Sequence, residues 1–598
     1  MKGYQGKVLR VNLTDAKVTK ESLDYEQAKL FLGGRGLGGK FICDEIPEGV
    51  DPLSEQNKVI IATGILTGTT APTAGRYMVV TKSPLNHTIA SSNSGGFWGS
   101  ELKFAGYDMI IIEGKSEKPV YLYIHNEQVE IRSAEPYWGK QSGEVTDMLL
   151  EDVGEPKARV LTIGPAGEKL SFISAIMNEK DRAAGRSGVG AVMGSKKLKA
   201  IVVRGTNKVE VADPEKYKEI NAALMKKIRE NGVTGQGLPA YGTAVLVNII
   251  NETGALPTNN FQEGYFELAE NISGEELAEK YLLRKDPCYR CPIACGRYCS
   301  VDGQESGGPE YESIWAFGSN CGVSDLKAII KVNKICNEMG LDTISAGATI
   351  AAAMELYQRG AIKPEELSDG PELVWGSTEA ILEWTRRMGT GEGFGAKLAL
   401  GSARLCEMYG YPELSMTAKK QEMPAYDPRA IQGIGLNYAT SNRGGCHVRG
   451  YTISPEILGE PQKLDREAVE GKAEWTRIFQ DLSAAIDSMG LCLFTSFALS
   501  AQDYVDLYNA ASGENISVDD LMTIGDRIWN NERLFNLREG YTAADDTLPK
   551  RLLESPIPEG PSKGSVSRLP EMLPAYYQVR GWSESGVPTD EKKQSLSL

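Results

Sequence analysis

At 598 residues the chain is too long for one hydrophobic core, and two to four domains are expected. With 41% hydrophobic residues, 24% charged residues and a net charge of −15, it reads as globular; no broad surface for nucleic acid or anionic lipid is expected. Ten cysteines are too few for a disulfide scaffold, no apolar segment follows Met1, and no run of 18 apolar residues predicts a membrane span, so a reducing, cytoplasmic setting is expected.

The elements change character along the chain. Residues 1–210 predict strands at Lys7–Leu13, Lys58–Ala62, Tyr77–Thr81, Met109–Glu113, Val120–Ile124 and Ala200–Val203, mostly β-branched and bounded by Gly, Asn or Pro. Within them Thr73-Ala-Gly-Arg76, Ser92-Asn93-Ser-Gly95-Gly96 and Arg182-Ala183-Ala-Gly185 each set a donor beside open backbone, a pattern suited to an anionic cofactor. Gly188-Val-Gly-Ala-Val-Met-Gly194 lacks an apolar strand before it, so a dinucleotide site is not expected there. The 65 glycines exceed the usual ~7% and cluster, which suggests backbone packed closely against something bulky.

Asp213-Pro-Glu-Lys predicts a capped helix start, and helical periodicity dominates from there to about 545. The expected fold is α+β multidomain: an N-terminal β-rich cofactor-cradling domain (1–210) followed by two mainly α-helical domains (211–415 and 416–598). The Pro-, Gly- and Ser-rich tail from 546 is expected to wrap the surface.

Three thiols stand at Cys288-x2-Cys291-x3-Cys295, a spacing that converges them on one centre. A fourth ligand could be Cys299 or the distant Cys492. Zinc sites generally use two separated Cys-x2-Cys pairs, so an iron–sulfur cluster with a remote fourth cysteine fits better. Asn337-Glu-Met-Gly-Leu341-Asp342 and Asp487-Ser-Met-Gly-Leu491-Cys492 echo each other across 150 positions. They are either two similar helix ends or two half-sites for a ligand with two similar halves. Glu310 and Glu312 follow the cysteines, and one of them is a candidate acid or base. His447, in Arg443-Gly-Gly-Cys-His447-Val-Arg449, lies on a glycine turn; His87 and His125 read as solvated.

Together these motifs resemble the tungsten-containing aldehyde:ferredoxin oxidoreductases, from Gly6-Lys-Val-Leu-Arg-Val-Asn12 to Tyr577-Gln-Val-Arg-Gly-Trp582. The benzoyl-CoA-reductase branch shares the cofactor frame and is the alternative. The resemblance implies tungsten (molybdenum is less favoured) held by two pterins, with Mg2+ bridging their phosphates, and one [4Fe–4S] cluster on Cys288, Cys291, Cys295 and Cys492. Arg76, Gly95, Arg182 and Gly185 would hold the cofactor; Asn93 and the Ala183 carbonyl would reach Mg2+. Asn337, Leu341, Asp342, Arg449, Asp487 and Leu491 would contact the pterins, one at each Met-Gly-Leu loop.

Glu312 and His447 would act on the substrate: aldehyde plus water gives carboxylic acid, two electrons and two protons, and the frame could also run in reverse. Electrons would leave singly through the cluster to a ferredoxin or a dedicated iron–sulfur subunit. Two departures from the family stand out. Asn337 replaces an Asp common there, and Lys331 and Lys334 occupy the helix where some members carry ligands for an iron bridging two subunits. That iron-bridged homodimer is therefore not expected.

Overall fold

The computed structural model describes residues 1–598. Twelve strands occupy the first third: β1 Lys7–Asn12, β2 Lys17–Ser22, β3 Val59–Thr63, β4 Tyr77–Lys82, β5 Ile89–Ser94, β6 Met109–Glu113, β7 Val120–His125, β8 Gln128–Ser133, β9 Arg159–Ile163, β10 Ile176–Asn178, β11 Arg182–Ala184 and β12 Leu198–Arg204. They form two six-stranded sheets, ordered β2-β1-β6-β3-β4-β5 and β8-β7-β12-β9-β10-β11. Pairing sense matches position for position. β1 and β7 run parallel to β6 and β12, and the other neighbours are antiparallel. The base is thus one six-strand unit used twice.

Period-two alternation explains how the sheets pack. In β3, Val59 and Ile61 enter a core shared by both sheets, whereas Ile60 and Ala62 face the large core beneath the helices. β6 divides likewise, with Ile110 and Ile112 inward and Ile111 outward. Leu161 and Ile163 of β9, with Ile201 and Val203 of β12, supply the facing half. Both faces of these central strands are buried, so they carry near-continuous apolar runs, and β3, β6 and β12 are among the strands expected from sequence. At one end Asn178 donates to the Tyr77 hydroxyl (2.8 Å) and the Gly95 carbonyl (3.0 Å), tying the two units together beside the cavity described below.

Helices dominate from Pro214, where Asp213 accepts from the Lys216 amide and Pro214 takes the first turn. A three-stranded antiparallel sheet interrupts them: Leu282–Lys285, Arg297–Val301 and Gln304–Gly307, flanking the cysteine motif. Its short polar strands carry little sequence signal.

The tail differs from the expectation of a surface wrap. It contains the helices Lys550–Glu554, Leu569–Arg580 and Asp590–Ser595. Arg580 is buried, and its guanidinium donates to Asp481 (2.5 Å) and Asp526 (3.0 Å). Leu569, Met572, Tyr576 and Tyr577 bury an apolar face that the surrounding Pro and Gly residues obscure. No helix is long and apolar enough to cross a membrane.

Candidate active site

Two long helices end at the seam between the two base units. Leu326–Met339 stops at Gly340 (φ +72°) and Lys472–Met489 at Gly490 (φ +87°), left-handed positions that favour glycine. Each helix end docks on the equivalent turn of one unit. The Ala175 amide donates to the Gly340 carbonyl at 2.8 Å, and the Arg76 amide to the Gly490 carbonyl at 3.3 Å. Gly164 and Gly64, one past the ends of β9 and β3, allow this approach. A Cβ on Gly164 would lie 2.3 Å from the Met339 carbonyl carbon, and one on Gly64 2.0 Å from that of Met489. The sequence echo is therefore a structural one: two related loops on two related turns.

Between the loops lies a cavity of about 510 Å3. Its lining includes Arg76, Asn93, Gly95, Arg182, Ala183, Gly185, Asn337, Leu341, Asp342 and Asp487, together with Cys288, Cys291, Cys295, Cys492, Glu312 and His447. Arg449 and Leu491 do not line it; both are buried directly behind. Arg449 holds the Asp487 carboxylate at 2.9 Å, and Arg35 approaches the same carboxylate at 3.4 Å. Asp342 faces the cavity, but its oxygens already accept from the Ile344 and Ser345 amides, as cap of the helix Thr343–Gln358, and from Arg186 at 3.2 Å. The Asn337 amide lies 3.4 Å from Asp181.

The thiols gather around Arg76. Its guanidinium donates to Cys492 Sγ (3.3 Å) and to Asn93 Oδ1 (3.0 Å), joining the cysteine group to the cradle. Burial pulls the Arg76 guanidinium down, but Cys492, Cys288, Cys295 and Cys291 outweigh it and hold it above its ordinary range. Burial and the neighbouring thiols push Cys291 up to about 11 and Cys295 higher still; a metal that binds thiolates would offset this.

The cysteine loop is pinned from both sides. Arg290 and Ala294 adopt positive φ without being glycine, the Arg290 carbonyl accepts from the Thr73 amide, and the Tyr289 ring packs edge-on against Phe97 and Phe104. Cys288, Cys291, Cys295 and Cys492 all line the same cavity, so the four thiols can converge on one bound group. Cys299 lies apart, buried in the central strand Arg297–Val301, where its thiol is pushed up to about 12 by burial.

The cradle fits an anionic group with two similar halves. Gly185 faces the cavity: a Cβ there would meet only Asp342 Oδ1, at 3.7 Å. Arg76, Arg182, Arg186 and Arg443 line the same wall. Burial and the nearby Arg35 and Arg443 pull Arg449 below its ordinary range, a crowding of cations that an anionic ligand would relieve. The glycine run 188–194 does follow a strand, β11, and opens the helix Val189–Ser195. β11 is a three-residue edge strand, antiparallel to β10, so the parallel strand–helix context of a dinucleotide site is missing.

At the other end Glu312 and His447 face each other. Glu312, in the first turn of Tyr311–Phe317, accepts from the Ala425 amide through Oε2 (2.9 Å). Its Oε1 lies 3.5 Å from His447 Nε2. Neither Glu312 Oε1 nor His447 Nδ1 has a hydrogen-bond partner. Burial lifts Glu312 to about 8. Burial, with Arg186, Arg443 and Arg449, drives His447 well below its ordinary value and keeps the imidazole neutral.

Tyr426 and Tyr451, joined through their hydroxyls at 2.8 Å, flank the His447 ring, and Phe497 packs on Tyr451. These aromatics, and the Arg186 links to the Glu422 (2.5 Å) and Gly445 (2.6 Å) carbonyls, went unmarked in the sequence. A tyrosine in an irregular loop gives no spacing signal.

Residues 8–205 match the family model for the aldehyde ferredoxin oxidoreductase N-terminal domain, and residues 219–598 that for its domains 2 and 3. The chain is 55% identical to the tungsten-containing aldehyde ferredoxin oxidoreductase of Pyrococcus furiosus and 54% identical to that of Thermococcus kodakarensis. Each alignment covers 100% of this chain and 99% of the relative. It is 33% identical to an aliphatic sulfonate oxidoreductase, WOR-like subunit, of P. furiosus, over 100% of this chain and 97% of that one. The solved active-site complex BamBC of benzoyl coenzyme A reductase superposes with a TM-score of 0.87 at 28% identity, over 100% of this chain and 97% of its own. The chain belongs to the tungsten-containing aldehyde ferredoxin oxidoreductase family of oxidoreductases.

Proposed function

We propose that this enzyme oxidises aldehydes to carboxylic acids with water as the oxygen source, releasing two electrons and two protons. The observation that carries the reading is the Glu312–His447 pair, both free at one atom, between a cationic glycine cradle and an aromatic wall. A tungsten bis-pterin bound in the cradle would supply the two-electron couple, and a [4Fe–4S] cluster on Cys288, Cys291, Cys295 and Cys492 the one-electron relay. Arg76, Gly95, Arg182 and Gly185 would hold the pterins from the base, with Asn337, Leu341 and Asp342 at one loop and Asp487 and Leu491 at the other. Arg449 would act through Asp487, and Asn93 with the Ala183 carbonyl would serve Mg2+.

The protein's own share of the chemistry is positional and acid–base. His447, neutral, has an N–H to aim at the carbonyl oxygen as charge grows there. Glu312 Oε1, when ionised, takes a proton from water or from the gem-diol. The aromatic wall excludes water and favours an apolar R group. Running in reverse, Glu312 would return that proton and the acid would be reduced.

The division of the chain belongs to the same proposal. The base (1–210) bears the cradle, 211–415 delivers the Met339-Gly340-Leu341 loop and 416–598 the Met489-Gly490-Leu491 loop. Electrons would pass to a ferredoxin or a dedicated iron–sulfur subunit, in an anaerobic cytoplasm. An iron-bridged homodimer is not proposed, because Lys331 and Lys334 stand where the iron ligands would be, with Lys331 on Asp302 at 2.7 Å and Lys334 3.9 Å from Glu338 of the same chain.

The test is anaerobic purification with elemental analysis and an assay of simple aldehydes with a viologen dye. About one tungsten per chain and aldehyde-dependent dye reduction are expected. Zinc without tungsten or molybdenum would overturn the reading. The benzoyl-CoA-reductase frame, favoured only by the structural likeness, would show as turnover of a ring thioester and not of free aldehydes.

A further inference from the structure

The segment that carries the cysteines also forms the outer surface above them. Cys288, Cys291 and Cys295 line the cavity, yet the residues flanking them are exposed: Leu283 (51%), Arg284, Lys285, Pro287 and Arg290. In a chain of net charge −15 this is a local island of positive charge. The one acidic residue among them, Asp286, is engaged by Arg182 at 3.1 Å. The cations have no such partner. Arg284 lies over the Tyr298 ring at 3.8 Å, Arg290 reaches only the Thr70 carbonyl at 3.5 Å, and none of the three has a carboxylate within salt-bridge distance.

Elsewhere the nearby surface cations are neutralised, as Lys180 is by Asp147 and Arg159 by Glu179. Beside the island a cleft of about 280 Å3 opens between Gly96, Arg284 and Pro287. The three free cations lie within four residues of Cys288 along the chain and are exposed.

We propose that the surface formed by Leu283, Arg284, Lys285, Pro287 and Arg290 docks an acidic, one-electron iron–sulfur carrier protein directly above the cysteine group. The inference rests on reading Cys288, Cys291, Cys295 and Cys492 as the cluster ligands. The occupant follows from charge: the enzyme carries a net charge of −15, and these unpaired cations lie on the segment that bears the thiols, so they attract an acidic carrier to that face. Exposed Leu283 and Pro287 supply apolar contact within the charged ring, the usual make-up of a transient interface. A cluster held by these thiols would give up one electron per encounter and the carrier would take it, so two encounters would clear one aldehyde turnover.

The test is R284E/K285E in the full enzyme, alone and with R290E added. It is assayed with a purified acidic ferredoxin and, separately, with benzyl viologen. At low ionic strength kcat/KM for the ferredoxin should fall by about tenfold or more, mainly through KM. The gap to the unaltered enzyme should close as salt screens the island. Viologen turnover and iron and tungsten content should stay unchanged; a cationic dye is not repelled by added carboxylates. Unchanged ferredoxin kinetics with an intact cluster would overturn the docking site. Should R290E disturb the cluster loop, R284E/K285E alone decides, since both residues precede the first cysteine. Absence of the cluster or of viologen activity in the unaltered enzyme would instead overturn the functional reading, so the two failures are distinguishable.

Discussion

Glu312 and His447 are both held away from the charge states water would give them, in opposite directions. Burial keeps the carboxyl protonated up to about pH 8, while burial and three arginines keep the imidazole neutral. A base must lose its proton to act, so turnover should rise with pH through about 8, and Glu312→Gln should flatten that limb and lower turnover per bound tungsten by about 10²-fold or more. The same shift has a stability consequence. Between the unfolded value of ~4.3 and about 8, the folded state binds a proton that the unfolded state lacks, so this contribution is present at low pH and lost as pH rises through about 8. Relative to the unaltered enzyme, Glu312→Gln should therefore unfold at a higher temperature at pH 9 than at pH 5; an identical difference at both would show that Glu312 does not titrate there. His447→Ala removes a donor aimed at developing charge and should cost about 10²–10³ in turnover with tungsten and iron intact. If His447 only packs the turn, cofactor loading would fall instead and activity per tungsten would hold. Among the thiols, Cys492→Ala should lose or convert the cluster and Cys299→Ala should not, read by EPR of the reduced protein. The positions of the two sulfurs, one against Arg76 and the other buried in a strand, give this order.

The two Met-Gly-Leu loops are related in build and unequal in burden. Gly64 and Gly164 stand at equivalent places, and a methyl on either meets a helix-end carbonyl at close to 2 Å, an overpacking worth about 1–3 kcal/mol. Gly64 supports the loop that continues into Cys492, whereas Gly164 supports the one that continues into Asp342. Gly64→Ala should therefore lose iron and pterin together. Gly164→Ala should lose pterin while keeping the cluster, as iron and pterin analysis of each variant would show. The sequence displays the loops because Met-Gly-Leu repeats in letters. It does not display the duplication that receives them. Ile89-Ala-Ser-Ser-Asn-Ser94 and the three-residue Arg182–Ala184 occupy equivalent edge positions, but one is serine-rich and the other too short to show alternation. Val59-Ile-Ile-Ala-Thr63 and Arg159-Val-Leu-Thr-Ile163 share only their apolar character, so pairing order alone makes the relation visible. The cysteine trio and His447 were legible for the opposite reason, as scarce residue types at a fixed spacing or on a glycine turn; Glu312 was set apart from Glu310 only by the family resemblance. Arg449 and Leu491 were expected from the resemblance to contact the pterins, yet neither lines the cavity, since a motif does not separate a residue facing a cavity from one behind it.

At the scale of the whole molecule the cavity is where the base and both helical segments meet. Arg76, Gly95 and Gly185 come from the base, Asn337 and Asp342 from the middle of the chain, and Asp487 and Cys492 from its last quarter. The polar groups gathered there are poorly matched to one another: cations crowd around Arg35, Arg443 and Arg449, and thiols are pushed up by burial beside Arg76. A folded chain without an anionic ligand and a thiolate-binding cluster therefore carries desolvated charge at its own centre, and that penalty falls on all three parts together. Ligands that bind only the folded state raise its stability by mass action, and here they also cancel that penalty. Protein produced without tungstate, then stripped of iron by a chelator under reducing conditions, should unfold at least several degrees below the loaded enzyme. It should also be cleaved first near the ends of the helices Leu326–Met339 and Lys472–Met489, which lose the body they clamp. Reconstituting the cluster alone should restore the second helix end, which adjoins Cys492, and leave the first exposed. Equal melting temperatures for stripped and loaded protein, or a cleavage pattern indifferent to iron, would mean that the seam is closed by the protein's own packing and that the cradle is rigid before anything enters it.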